Sequence, residues 1–96
     1  MTKTSSEIVT DIKTHAGTPY SGWYAGIASD PKERLFSDHK VDEKNGSWIY
    51  RTAATNADAR TAEDALHVEG FDGGPGGGDA GTKAVYAYKI TKTTVE

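Results

Sequence analysis

The tetrapeptide Asp30-Pro31-Lys32-Glu33 constrains the fold of this chain most, because the backbone periodicity changes there. Upstream, SGWYAGIAS (21–29) alternates, with Trp23, Ala25 and Ile27 on one face and Tyr24, Gly26 and Ala28 on the other. A period of two is the signature of a strand. Asp30 then suits a helix N-cap, Pro31 the first helical position and Glu33 the third, completing a capping box, so a helix is expected from Pro31 to about Lys40. A strand delivered straight into a capped helix commits the chain to a layered α/β arrangement.

The remaining segments extend that pattern. Thr4-Ser5-Ser6-Glu7 reads as a capping box, and Ile8, Val9 and Ile12 give a short apolar stripe, predicting a helix from Ser5 to His15. Gly17, Pro19 and Gly22 end it. Asn45-Gly46 marks a turn before a second strand, Ser47 to Ala54. Asn56 is the expected cap of a third helix, Ala57 to Glu69, with a stripe of Ala59, Ala62, Leu66 and Glu69. Thr82 to Thr91 reads as a third strand with Tyr86, Tyr88 and Ile90 on one face. The expected fold is α/β (α+β), a small three-stranded, mainly antiparallel sheet flanked by about three helices in the order α-β-α-β-α-β.

At 96 residues the chain has room for one domain, spanning 1–96, and a thin core burying roughly 60–65% of the unfolded surface. Two Trp, five Tyr and two Phe supply much of the apolar area. The absence of cysteine excludes disulfides, Cys-based zinc sites and thiol nucleophiles. The N-terminal residues lack the apolar core of a signal peptide, and no run approaches the ~20 apolar residues of a membrane span, so the expected location is the cytoplasm. Net charge is −3, all of it in residues 52–96, since residues 1–51 carry seven basic and seven acidic side chains. That balance argues against broad, non-specific nucleic-acid binding, which relies on Lys and Arg to displace counterions.

Seven of the eleven glycines lie between Gly70 and Gly81. Gly76-x-Gly78-x-x-Gly81 nominally fits a dinucleotide fingerprint, but that motif needs a strand before it and a helix after it, and here the order is reversed. A surface loop is the better reading, able to act as a flap beside a site.

The segment GWYAGIASDPKERLFSDH (22–39) resembles the second half of the GIY-YIG nuclease motif, with Tyr24-Ala25-Gly26 standing for Y-I-G. Arg34 falls where the family's catalytic Arg is expected, and His39 where a helix-borne His often sits. AEDALHVE (62–69) resembles the helix whose Glu binds a divalent metal. The G-I-Y strand does not precede Tyr24, whereas Ala84-Val85-Tyr86 in the last strand resembles it without its Gly, as in a circular permutation. The resemblance covers about a quarter of the chain, and the family's late Asn has no counterpart. It implies phosphodiester hydrolysis on nucleic acid with Mg²⁺ or Mn²⁺, catalytic residues Tyr24, Arg34, His39 and Tyr86, and Glu69 as metal ligand.

The chemistry suits those residue types. A carboxylate is a hard oxygen ligand for Mg²⁺, Arg can pair with two phosphate oxygens, and a Tyr with a lowered pKa could deprotonate water. Plainer readings stand beside them: an exposed Arg34–Asp38 pair, His39 as a helix C-terminal cation, Tyr24 and Tyr86 as packing aromatics, Glu69 splayed into solvent and His67 solvated. Glu63 is the alternative metal ligand. The competing functional class is a non-catalytic nuclease-like fold, a phage or bacterial accessory module that engages a protein partner. A nucleotide-binding domain using the cleft near the glycine loop is a third.

Overall fold

The computed structural model describes residues 2–73 and 81–95, so the fingerprint-like glycine segment lies outside the described residues except for Gly81. Helix α1 (Ser5–Ala16) starts at the expected capping box: Thr4 accepts from the Glu7 amide, and the Glu7 carboxylate accepts from the Thr4 amide. It buries Ile8 and Ile12 and ends at Gly17, whose φ of 70° is a conformation that glycine adopts freely. A single 3₁₀ turn (Tyr20–Gly22) leads into strand β1 (Trp23–Ala28).

The Asp30 carboxylate caps α2 (Pro31–Glu33) by accepting from the Glu33 amide. The expected α-helix to Lys40 is replaced after one turn by a π-helical turn (Arg34–Asp38), closed by His39 N–H donating to the Arg34 carbonyl at 2.9 Å. This change matters for function. In an α-helix, residues five apart are turned roughly 140° from each other, whereas the wider turn stacks position 39 over position 34. Lys40 then takes a left-handed φ of 59°, and Val41 N–H reaches back to the Leu35 carbonyl at 2.9 Å, which terminates the helix.

Strand β2 (Trp48–Thr52) follows the Asn45-Gly46 turn. Helix α3 (Asn56–Glu69) is capped by Thr55, which accepts from the Asp58 amide, one residue before the expected cap. Asn56 is instead the first helical residue, and its Nδ2 donates to the Thr82 carbonyl at 2.7 Å. Strand β3 (Ala84–Lys89) closes the chain and occupies the centre of the sheet, order β1-β3-β2, antiparallel to both neighbours. The α-β-α-β-α-β order and the antiparallel sheet are therefore as the sequence predicts.

The strand alternation divides the molecule into two layers. Trp23, Ala25, Ile27, Ile49, Val85 and Ala87 face α1 and α3, meeting Ile8, Ile12, Ala59, Ala62 and Leu66 in the larger core. Tyr24, Ala28, Tyr86 and Tyr88 face the other way, against Leu35 and Val41, with Phe36 and Trp48 at the margin. The outer edge of β1 is partly covered by residue 72: Asp72 N–H donates to the Trp23 carbonyl and Ala25 N–H to the Asp72 carbonyl, at 2.7 and 2.9 Å. Among the described residues no helix is long and apolar enough to cross a membrane.

Lys40 is exposed and pays the steric cost of a left-handed conformation. Replacing it by glycine removes that cost, so Lys40→Gly should raise unfolding stability by about 0.5–1 kcal/mol in urea titration.

Candidate functional site

The helical face of the sheet is mainly apolar, with Glu63 on the buried stripe of α3, and the tyrosine cluster lies on the opposite face. Tyr86 and Tyr88 leave β3 toward α2 because they share the parity of Gly26 and Tyr24 in the antiparallel register, with Tyr86 opposite Gly26 and Tyr88 opposite Tyr24. The ring of Tyr86 lies across the Gly26 backbone: a Cβ at position 26 would stand 2.7 Å from the Tyr86 hydroxyl oxygen and 2.9 Å from Cζ. No side chain larger than hydrogen fits there unless Tyr86 moves. The Gly of the Y-A-G segment therefore has a packing reason of its own.

Four aromatic rings gather above that point. Tyr24 packs against His39 at 4.8 Å and stacks on Tyr88 at 5.2 Å and Tyr86 at 6.4 Å between ring centroids. The π-helical turn brings His39 into the cluster, 4% exposed, and its Nε2 lies 2.7 Å from the Tyr86 hydroxyl. Its Nδ1 lies 2.6 Å from the Val95 carbonyl, with the Tyr88 hydroxyl at 3.1 Å. A carbonyl only accepts, so the proton sits on Nδ1, and Nε2 is left to accept the Tyr86 proton. The Arg34 guanidinium lies near enough to Tyr86 for each to shift the pKa of the other. The result is one directed relay, in which Tyr86 donates to His39 and His39 to the Val95 carbonyl, with the Arg34 charge beside it.

Electrostatics follow from this placement. Burial pushes the His39 pKa below its ordinary value, with the Arg34 charge acting in the same direction, so the ring is neutral near pH 7. Burial also pushes the Tyr86 phenol up to about 12, aided by Tyr24 and opposed by Arg34. A lowered Tyr pKa, the condition for a resting phenolate base, is not met at Tyr86. Contact with Tyr86 raises the pKa of Arg34, which also pairs with Asp38 at 3.1 Å as the i,i+4 spacing predicts.

The structure brings Tyr24, Arg34, His39 and Tyr86 together and leaves Glu69 apart. The Glu69 side chain is 41% exposed and pairs with Lys13 of α1 at 3.2 Å, in the helical layer behind the sheet. It ends α3 and does not continue the buried stripe, which is Ala59, Ala62, Glu63 and Leu66. Glu63 is 8% exposed, forms no ion pair or hydrogen bond with the described residues, and sits close enough to Tyr86 to raise its pKa. Burial raises the pKa of Glu63 itself, partly offset by His67. His67, expected to be solvated, is half-buried and its Nε2 lies 3.0 Å from the Ala25 carbonyl, so it donates to the open edge of β1. A shallow 290 Å³ cavity lined by Ile27, Ser29, Asp30, Glu33, Arg34 and Thr82 opens beside Arg34.

Among the described residues no three His, Asp or Glu side chains converge as a cage for a metal ion. Glu63, which makes no hydrogen bond or ion pair with the described residues, offers one carboxylate, a hard oxygen ligand, and Asp30 and Glu33 line the cavity beside Arg34. That fits Mg²⁺, which keeps several of its waters and needs only one or two carboxylates. No family model, curated protein or solved structure matches this chain significantly.

Two outcomes are expected. Gly26→Ala forces Tyr86 off the sheet and should cost roughly 1–3 kcal/mol in urea unfolding. Because the folded pKa of His39 lies below its unfolded value, the unfolded chain binds the extra proton as pH falls through 6.5. The His39 contribution is therefore complete above that pH and fades below it. The melting temperature of the wild type should fall more steeply from pH 7 to pH 5 than that of His39→Gln.

Proposed function

We propose that this chain is a metal-dependent nuclease-like domain that hydrolyses a phosphodiester of nucleic acid, with Arg34, Tyr86, His39 and Tyr24 on one side of the scissile phosphate and Glu63, in place of Glu69, as the metal ligand. The observation that carries the reading is the Tyr86 hydroxyl, hydrogen-bonded to the bare Nε2 of a neutral histidine with the Arg34 guanidinium nearby. The sheet adds support. The permuted arrangement requires the Val85-Tyr86 strand to lie antiparallel beside the Y-A-G strand, and β3 pairs with β1 in that sense.

At rest the site is closed. Tyr86 is 1% exposed, and the half-exposed Arg34 stands near it. An incoming phosphate competes for Arg34 through two parallel charge-assisted hydrogen bonds and draws the guanidinium outward. The Tyr86 hydroxyl is then free to accept a hydrogen bond from water. As that water attacks phosphorus, its proton passes to the Tyr86 oxygen while the phenolic proton passes to His39 Nε2. Tyr86 stays neutral throughout, so a pKa near 12 is no obstacle, and His39 carries the charge. The bond between phosphorus and the leaving ester oxygen breaks, and that oxygen takes a proton from solvent. Arg34 balances the negative charge on the non-bridging oxygens. Glu63 would hold a divalent cation, which when bound would supply further positive charge to the transition state.

The non-catalytic alternative, an accessory module that engages a protein partner, is favoured by the near-complete burial of Tyr86 and the net charge of −3. The two readings part on a simple pair of variants. A half-desolvated carboxylate with a raised pKa opposes folding as pH rises through its unfolded value, fully so above its folded pKa, and neutralising it relieves that cost. Glu63→Gln should therefore melt at a higher temperature than wild type at pH 7 and lose Mg²⁺- or Mn²⁺-dependent cleavage of a DNA substrate. Glu69→Gln, which removes only an exposed ion pair, should keep its cleavage and shift stability by less than about 1 kcal/mol. Full cleavage by purified Glu63→Gln would sink the assignment, and no cleavage by any form would leave the binding reading.

A further inference from the structure

We infer that the carboxy-terminal segment 91–95 is a backbone clamp that sets the tautomer of His39 and so aims its Nε2 lone pair at Tyr86. The catalytic consequence rests on the nuclease reading above, but the clamp itself does not.

The segment is folded for this purpose by its own threonines. Thr91 N–H donates to the Thr94 hydroxyl at 2.9 Å, the Thr94 hydroxyl donates to the Thr91 carbonyl at 3.1 Å, and the Thr93 amide reaches the Thr91 hydroxyl at 3.3 Å. This turn reverses the chain after β3 and carries Val95 back over the tyrosine face. There Val95 grips His39 twice: its N–H donates to the His39 carbonyl at 2.7 Å, and its carbonyl accepts from His39 Nδ1 at 2.6 Å. The Tyr88 hydroxyl approaches the same carbonyl at 3.4 Å. The Val95 side chain is 53% exposed and takes no part, so the recognition is wholly main-chain.

A carbonyl demands a proton on Nδ1. Without it the ring gains no preference from this side, and an Nε2–H tautomer would face Tyr86 with a second donor. The relay would then be broken at its centre. Residue 95 is thus a positioning residue that acts through His39, and residues 91–94 are the spring that holds it there.

The test is imidazole ¹⁵N NMR of the protein without metal or substrate. The full chain should show His39 predominantly protonated at Nδ1. A chain ending at Thr91 should lose that preference roughly five- to tenfold, on the order of one net hydrogen bond. Val95→Ala, which keeps the main chain, should match wild type. Should the shortened chain fail to fold, Val95→Pro removes the N–H half of the grip and should lower the Nδ1 preference in a folded protein. An unchanged tautomer in the shortened chain or in Val95→Pro overturns the clamp, as does a shift in Val95→Ala equal to that of truncation. Where cleavage is measurable, truncation should lower kcat by about 10²-fold with little change in KM. A tautomer shift with no cleavage in any form would keep the clamp and reject the nuclease reading; cleavage with an unmoved tautomer would do the reverse.

Discussion

The arrangement on the tyrosine face depends on one close approach, the hydroxyl end of the Tyr86 ring resting over the backbone of Gly26. It sets the height of the phenol above the sheet, and that height decides which groups can reach the hydroxyl. With Tyr86 lowered onto bare backbone, the π-helical turn can cross above it and bring His39 Nε2 to 2.7 Å. Arg34, one wide turn earlier, places its charge near the same phenol. A Cβ on residue 26 would lift the ring and break the contact with His39. The interaction is also long-range in sequence, so it forms only when β3 inserts between β1 and β2. Core packing and the geometry of the site are thus products of one strand-pairing event.

The two faces of the sheet divide their work. The face under α1 and α3 is built from Ile, Ala, Leu and Val, with few polar atoms to satisfy, and supplies burial. The tyrosine face instead satisfies its polar atoms through a chain of hydrogen bonds, and no enclosed polar side-chain atom among the described residues lacks a partner. A fully satisfied relay is rigid, which holds the Tyr86 proton on a defined line toward His39. Glu63 occupies a core-facing position of α3, where burial raises its pKa, but its carboxylate oxygens are not enclosed and keep contact with solvent.

Periodicity and capping made the fold legible in the sequence. Alternation assigned the three strands and the face of Tyr24, Tyr86 and Tyr88, while Thr4, Asp30 and Pro31 marked helix starts. Two features of the site were not readable in the same way. The π-turn has no propensity signal of its own; it arises because Leu35 must face the sheet while His39 also turns inward. Glu69 was placed on the stripe by counting 59, 62, 66, 69, which follows a helix one step past its last buried residue. The i, i+3, i+4, i+7 set is 59, 62, 63, 66, and it puts Glu63 inside. A charged residue at an interior stripe position was the available signal. The Val95 contact lay beyond sequence reasoning, since nothing in Thr91 to Val95 announces a return toward residue 39.

The resting state joins a weak outer layer to a strong inner one. The Arg34–Asp38 pair is half-exposed on both sides, the kind of contact that contributes about 0–1 kcal/mol. Detaching the guanidinium therefore costs little, and a phosphate offering two oxygens in one plane compensates for it readily. The inner relay is buried, and opening it would strand the donor of Tyr86 or the lone pair of His39. An anion arriving at the surface thus moves the arginine and leaves Tyr86 and His39 in register. On the proposed hydrolytic reading, that asymmetry is what keeps a site built on a closed, satisfied core within reach of substrate.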